Sequence, residues 1–159
     1  MVKIKIICVG KIKEKFFNDA IDEYLKRLSR FSKIEIIEIK DVAIPKNGGV
    51  QIENEVKQKE TMSILSKIKE GETVIILDLN GREYTSEQLA EFFDIQFSRG
   101  DKLTFVIGGS LGFSKEIYER ANYNVSFSKL TFTHQMIRVL LLEQIYRSFK
   151  IINNEKYHK

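Results

Sequence analysis

The chain has 159 residues, of which 43% are hydrophobic and 30% charged, with one proline, one cysteine and a formal net charge of +4. This composition argues against a disordered or disulfide-stabilised chain and fits a single α/β domain over residues 1–159. Lysines interrupt the apolar N-terminal segment, and no uncharged stretch approaches the length of a membrane span. We therefore expect a cytoplasmic protein with no membrane segment.

Strands alternate with helical patterns along the chain. Apolar runs predict strands at Lys3–Val9, Lys33–Ile39, Thr73–Leu79, Leu103–Ile107 and Tyr123–Phe127. Helices are predicted between them: Phe16 to Leu28, about Ile52 to Lys69, and one opened by the capping-box pair Thr85 and Gln88. Strands joined through helices predict a mostly parallel sheet with helices on both faces.

Two segments carry turn signals. Asp41 to Gln51 contains the proline and two adjacent glycines, which predicts an exposed loop. Asn80 and Gly81 are predicted to end the third strand, so Asp78 is interpreted as a turn residue.

The last predicted helix, His134 to Ile152, has no wholly polar face. One domain of this size covers one side of such a helix. We therefore expect the other side to pack against a second copy in a homodimer, the alternative being burial by neighbouring loops.

A glycine-rich turn, VIGGSLGF, follows the fourth strand. Glycines after a buried strand let a ligand approach the backbone. The spacing is not that of a dinucleotide fingerprint or a P-loop. Ser110 is predicted to cap the following helix. The two histidines and the cysteine are too far apart in sequence to suggest a metal site.

Three stretches in order resemble the SPOUT class of RNA methyltransferases: FVIGGSLGF, then SFSKLTFTHQMIRVLLLEQIYRSFKI, then the terminal YHK. The resemblance extends to VKIKIICVGKIKEKFF at the start and so covers nearly the whole chain. It implies an α/β fold with a C-terminal trefoil knot, a rare exception to unknotted connections, and a homodimer. The implied reaction is methyl transfer from S-adenosylmethionine to N3 of a pseudouridine in 23S rRNA within the ribosome.

The resemblance also implies the cofactor site. Its residues on this chain would be Leu77, Gly108, Gly109, Phe127, Ser128, Lys129, Leu130, Thr131 and Phe132. S-adenosylmethionine has no phosphate, so its site needs an apolar slot and backbone polar groups rather than an anion cradle. Some of these apolar side chains are also expected in an ordinary core.

Catalytic roles are expected for four residues: His134, Arg138, Tyr157 and His158. His134 and Arg138 are four residues apart on one helix face, where a neutral imidazole could act as base and Arg138 could stabilise an oxyanion. The alternative is that they are a helix-start residue and the partner of an interface carboxylate. Thr133 stands where related proteins often have proline, and it can cap the helix.

The tail NNEKYHK has the composition of a disordered end, yet in the resembling family the same ending approaches the active site. There Tyr157 could stack on a base, His158 could share proton transfer and Lys159 could contact phosphate. Two further hypotheses stay open: a non-catalytic ribosome- or RNA-binding module, and a SPOUT enzyme acting on a different RNA.

Overall fold

The computed structural model describes residues 1–100 and 102–159. Its strands are β1 (Val2–Val9), β2 (Ser32–Ile39), β3 (Thr73–Glu83), β4 (Leu103–Ile107) and β5 (Tyr123–Ser126). Its helices are α1 (Lys15–Leu28), α2 (Val50–Leu65), α3 (Ser86–Ser98), α4 (Lys115–Arg120) and α5 (His134–Ile152). The five predicted strands are therefore confirmed, each to within a few residues at its ends.

The strands form one sheet in the order β2-β1-β4-β3-β5, and every neighbouring pair is parallel. Parallel strands require crossover connections, which the helices provide. Because all strands point the same way, their carboxyl ends lie at one edge. Loops from β1, β3, β4 and β5 meet there.

Helices cover both faces of the sheet. On one face, α1, α3 and α5 pack on alternate residues of the central strands, such as Ile4, Ile6 and Cys8. On the other face, Ile7 and Val9 point towards α2 and α4. This alternation follows from the two-residue period of a strand. Burial on both faces explains why β1 and β4 are nearly continuous apolar runs.

The end of β3 differs from the prediction. The strand does not stop at Asn80 and Gly81 but continues to Glu83, with an irregularity between Leu77 and Arg82, both of which pair with Val125. A Cβ on Gly81 would lie 2.6 Å from the carbonyl carbon of Val125, so only glycine allows this approach. The predicted turn is thus a bulge that bends residues 78–81 out of the ladder.

The helix ends give one further correction in α2. This helix begins at Val50 and ends at Leu65, four residues before the predicted Lys69. The predicted loop is irregular from Asp41 to Gly49, and its last two predicted residues already belong to α2. A run of turns then leads to Gly71, whose φ of +79° is the left-handed conformation that glycine adopts readily.

Hydrogen bonds at two helix starts confirm the predicted caps. Thr85 and Gln88 form the complete capping box of α3, with a backbone-to-hydroxyl distance of 3.2 Å. Thr133 caps α5 by accepting from the backbone N–H of Met136 at 3.2 Å. The predicted cap at Ser110 is wrong. Residues 109–112 form a turn, closed by the Gly112 N–H and the Gly109 carbonyl, so α4 begins only after Ser114.

Candidate functional site

A cavity of about 520 Å³ opens at the carboxyl edge of the sheet. Its walls come from the bulge of β3, the glycine turn after β4, and the chain from the end of β5 into the first turn of α5. In parallel sheets, ligands bind at this edge because loops from several strands converge there.

Eight of the nine predicted cofactor residues line this cavity. They are Leu77, Gly108, Gly109, Phe127, Ser128, Leu130, Thr131 and Phe132. Lys129 is the exception: its side chain is exposed, and it is not among the lining residues. Among the described residues, no lysine or arginine lines the cavity, so it has no phosphate cradle.

The glycine turn is tightly packed. A Cβ on Gly108 would lie 3.0 Å from the ring of Phe113, and one on Gly109 would lie 2.8 Å from Oε2 of Glu60. The Glu60 side chain is largely buried, and burial, followed by the charge of Asp41, raises its pKa. The turn is therefore held between an aromatic ring and a desolvated carboxyl group, with no room for larger residues.

The loop after β5 is fixed by its own hydroxyl groups. Ser126 Oγ donates to the carbonyl of Ser128 at 2.9 Å, and Ser128 Oγ accepts from the backbone N–H of Leu130 at 3.0 Å. Leu130 and Phe132 remain 71% and 42% exposed at the mouth of the cavity. The loop is thus locally ordered, and it presents apolar side chains that the monomer leaves uncovered.

Five polar residues that line the cavity were not predicted as site residues: Asp78, Ser110, Ser126, Thr133 and Gln135. Asp78, interpreted from sequence as a turn residue, lies in the bulge of β3, lines the cavity, and accepts hydrogen bonds from Tyr118 Oη at 2.9 Å and Asn124 Nδ2 at 3.3 Å. Burial and this bond raise the pKa of Tyr118 to about 12. Gln135 also lines the cavity, and its buried Oε1 has no hydrogen-bond partner among the described residues. Its position next to His134 was the available sequence signal.

His134 lies at the end of the cavity nearest β1. The residue lines the cavity, and a Cβ on Gly10 would lie 3.1 Å from its Nε2. Gly10 has a φ of +93°, and its backbone N–H donates to the carbonyl of Ile39 at 2.9 Å. The imidazole therefore rests on a backbone that is fixed to β2.

Arg138 occupies a different place from His134, although one helical turn separates them. Its guanidinium is only 3% exposed, and Nη1 donates to Glu38 Oε2 at 2.9 Å while Nη2 donates to the carbonyl of Gly10 at 3.2 Å. It is not among the residues that line the cavity. Its observed partner is a carboxylate of its own chain, and the pair supports Gly10 under the histidine.

The C-terminal tail is ordered by side-chain contacts, contrary to the expectation from its composition. Tyr157 Oη donates to Glu143 Oε1 at 3.1 Å, and His158 contacts Glu87 at 2.7 Å and Arg147 at 3.2 Å. Burial, followed by the charge of Glu143, raises the pKa of Tyr157 to about 12.

These contacts place the tail far from His134 within one chain. Glu143 is nine residues after His134 on α5, which is about 13.5 Å along the helix axis. The four predicted catalytic residues are thus not brought together in the monomer. His134 lies at the cavity, Arg138 lies beside it, and Tyr157 and His158 lie at the other end of α5.

Metal and membrane features are absent from the described part of the chain. Residues 1–100 and 102–159 contain no group of three or more His, Cys, Asp and Glu side chains that could hold a metal ion. None of the helices in these ranges is both long and apolar enough to cross a bilayer.

A parallel sheet with a cavity at its carboxyl edge, lined by loops from several strands, is the arrangement of an α/β protein with a small-molecule site. Residues 2–158 match the family described as Predicted SPOUT methyltransferase. The chain belongs to this family, and it is a methyltransferase.

Named relatives agree with this assignment. The chain is 54% identical over 159 residues to a protein from Clostridium novyi and 52% identical to one from Clostridium perfringens. Each alignment covers 99% of this chain and 100% of the relative. Both relatives are named ribosomal RNA large subunit methyltransferase H, the second with the number 1.

A solved structure supports the fold alone. It is described as a probable methylase family protein from Haemophilus influenzae, with a TM-score of 0.55 and 14% identity. The match covers 98% of this chain and 70% of that one.

Proposed function

We propose that this protein transfers the methyl group of S-adenosylmethionine to N3 of a pseudouridine in 23S rRNA, acting in the cytoplasm on the assembled ribosome. The observation that carries the proposal is the cavity at the carboxyl edge of the sheet, which combines apolar walls, glycine backbone and no cationic side chain with a histidine at one end. The names of the full-length relatives support the rRNA substrate.

The residues present fit the methyl donor. Leu77, Ile107 and Phe113 supply apolar surface for a purine ring, and the buried, unpartnered Oε1 of Gln135 is an acceptor in need of an N–H donor. The cavity also lacks a phosphate-binding group, as expected for a cofactor without phosphate. Bound there, the donor supplies an electrophilic methyl group on a sulfonium. The cavity's part is to fix its orientation and exclude water.

Proton removal at the acceptor is assigned to His134. N3 of a pseudouridine lies between two carbonyl groups and must lose its proton to become a good nucleophile. His134 is the basic side chain at the cavity, and its ring rests on Gly10. Arg138 is buried behind it on Glu38 and Gly10, so we assign it a positioning role, with any oxyanion stabilisation left to other donors.

A homodimer completes the proposal. The side of α5 that faces away from the sheet carries half-buried apolar residues, and Met136, Leu130 and Phe132 are exposed beside it. Tyr157 and His158 cannot reach His134 of their own chain while bound to Glu143 and Glu87. Antiparallel packing of two α5 helices would bring the tail of one chain towards the cavity of the other.

We also propose that the C-terminal part, which supplies two of the three cavity loops, forms the trefoil knot.

Product analysis tests the proposed reaction. The protein is incubated with methyl-labelled S-adenosylmethionine and with ribosomes from cells that lack the modification, in parallel with their isolated large subunits. The rRNA is then digested to nucleosides. We expect label on N3 of a pseudouridine, with more label in whole ribosomes than in isolated large subunits. His134→Asn should abolish this labelling.

The other outcomes discriminate the alternatives. Label in a different nucleoside or RNA would show that the proposed target is wrong, while the proposed donor site would stand. No transfer together with no binding of S-adenosylmethionine would leave a ribosome-binding module and overturn the proposal.

A further inference from the structure

We propose that the start of α1 and the loop before it form an RNA-binding surface that holds the rRNA strand next to the acceptor nucleoside. This lysine loop consists of residues 10–16, and its binding groups are Lys11, Lys13, Lys15 and Phe16. The inference rests on the proposed function for the nature of the partner.

The lysine loop carries unpaired positive charge beside the site. Lys11 and Lys13 are exposed, and among the described residues neither has a carboxylate within 4.0 Å, while Lys15 pairs with Asp19 at 2.6 Å. Glu14 is the one acidic residue in the segment. By contrast, Arg138, the basic side chain behind His134, is paired with Glu38. Lys11 and Lys13 are therefore available to contact the phosphates of an RNA strand.

The placement of these lysines works against local stability. The first turn of α1 contains no acidic residue, and Glu14 at the N-cap makes no side-chain capping bond. Positive side chains at a helix start oppose the helix dipole, so they do not improve the helix. Lys15 offsets part of this cost by pairing with Asp19, whereas Lys11 and Lys13 form no ion pair among the described residues. Unfavourable local charge of this kind is expected at functional sites.

An exposed aromatic ring lies among these charges. Phe16 is 65% exposed, and its ring centroid is 4.4 Å from that of half-buried Phe17, which supports it from the side. An exposed ring beside free lysines is the arrangement with which proteins stack an unpaired base and contact the adjoining phosphates.

The loop is attached directly to the proposed base. The carbonyl of Gly10 accepts from Arg138 at 3.2 Å, and His134 Nε2 lies 3.1 Å from the position of a Gly10 Cβ. Three residues of extended chain span at most about 11 Å, so Lys11 and Lys13 lie within that distance of Gly10. A strand bound on the lysine loop would thus run past the cavity mouth beside His134.

A binding experiment without the methyl donor tests the inference. The partner is the 70S ribosome from cells that lack the modification, and affinity is measured by sedimentation at several salt concentrations. Lys11→Gln with Lys13→Gln, and separately Phe16→Ala, are compared with the wild type. The control is Lys3→Gln with Lys33→Gln, which removes the same charge from two exposed lysines paired in register at the opposite edge of the sheet.

The double loop variant should weaken ribosome binding about tenfold and reduce the slope of log K against log salt by about 1.5, since each lost phosphate contact contributes 0.7 to 0.9. Phe16→Ala should weaken binding at least fivefold with an unchanged slope. The control should match the wild type.

Equal effects of the loop and control variants, or no ribosome binding by the wild type, would overturn the inference. Calorimetric measurement of S-adenosylmethionine binding separates failure of this inference from failure of the proposed function. The loop variants should bind the donor as the wild type does. A protein that binds ribosomes but no donor would disprove the proposed transfer from S-adenosylmethionine, and the inference about the lysine loop would stand.

Discussion

Replacing Gly10 by alanine tests how the backbone under His134 supports the site. The residue has a φ of +93°, and the added Cβ would lie 3.1 Å from His134 Nε2. Holding an L side chain at such a φ costs about 1–3 kcal/mol of the free energy of unfolding. The contact also requires the imidazole to move by a few tenths of an ångström. Since misplacement by about 1 Å can lower a rate about a hundredfold, we expect a roughly tenfold loss of methyl transfer.

Gly71→Ala is the matched control for this prediction. Gly71 has a φ of +79°, and nothing lies within 4 Å of its Cβ position, so it carries the same type of strain without contact to the site. Chemical denaturation should show similar losses of stability for the two variants. Single-turnover methyl transfer to ribosomes should fall only for Gly10→Ala. Equal transfer rates in the two variants would refute the role of Gly10 in supporting His134.

Three other substitutions test separate parts of the structure. Thr133→Ala removes the N-cap of α5 and should lower the free energy of unfolding by about 1 kcal/mol, measured by denaturation. Gly81→Ala would place a Cβ 2.6 Å from the backbone of Val125, so the bulge must shift, and we expect a loss of about 1–3 kcal/mol or more. Tyr118 should ionise at about pH 12, later than an ordinary tyrosine, because it is partly desolvated and donates to Asp78. Its contribution to stability is thus full below about pH 10 and lost as the pH rises towards 12. Tyr118→Phe should remove one of the two late-ionising tyrosines from the ultraviolet titration and leave that of Tyr157, and an unchanged titration would contradict the assignment.

The regular parts of the fold were predictable because their causes are local in sequence. The strands follow from apolar runs such as β4, in which all residues are buried. The capping box at Thr85 and the cap at Thr133 follow from side chains that bond the nearest free backbone N–H groups. The cofactor residues were predicted through the resemblance, and eight of the nine line one cavity; their role stays a prediction.

The error at the end of β3 and the unforeseen contact under His134 concern distant segments. Asn80 and Gly81 carry a genuine turn signal, but pairing of Arg82 with Val125 extends β3 past them. Nothing within the first strand shows that the carbonyl of Gly10 receives Arg138, a residue 128 positions later. Such contacts depend on the assembled sheet, and local pattern does not report them.

For the tail, local composition predicted disorder where tertiary contacts produce order. Its composition is that of a disordered end, yet Glu87 and Glu143, on different helices, provide partners for His158 and Tyr157. The packing of α3 on α5 sets the positions of these two glutamates. Tyr157 and His158 are therefore held away from His134 within one chain.

Hydrogen exchange with and without S-adenosylmethionine tests the central claim most directly, which is that three loops at one edge of the sheet hold the methyl donor. The account predicts saturable binding. It also predicts slower amide exchange confined to residues 77–81, 107–113 and 126–137, with the tail as a further protected segment in a dimer. Absence of binding, or protection elsewhere with these three segments unchanged, would contradict it.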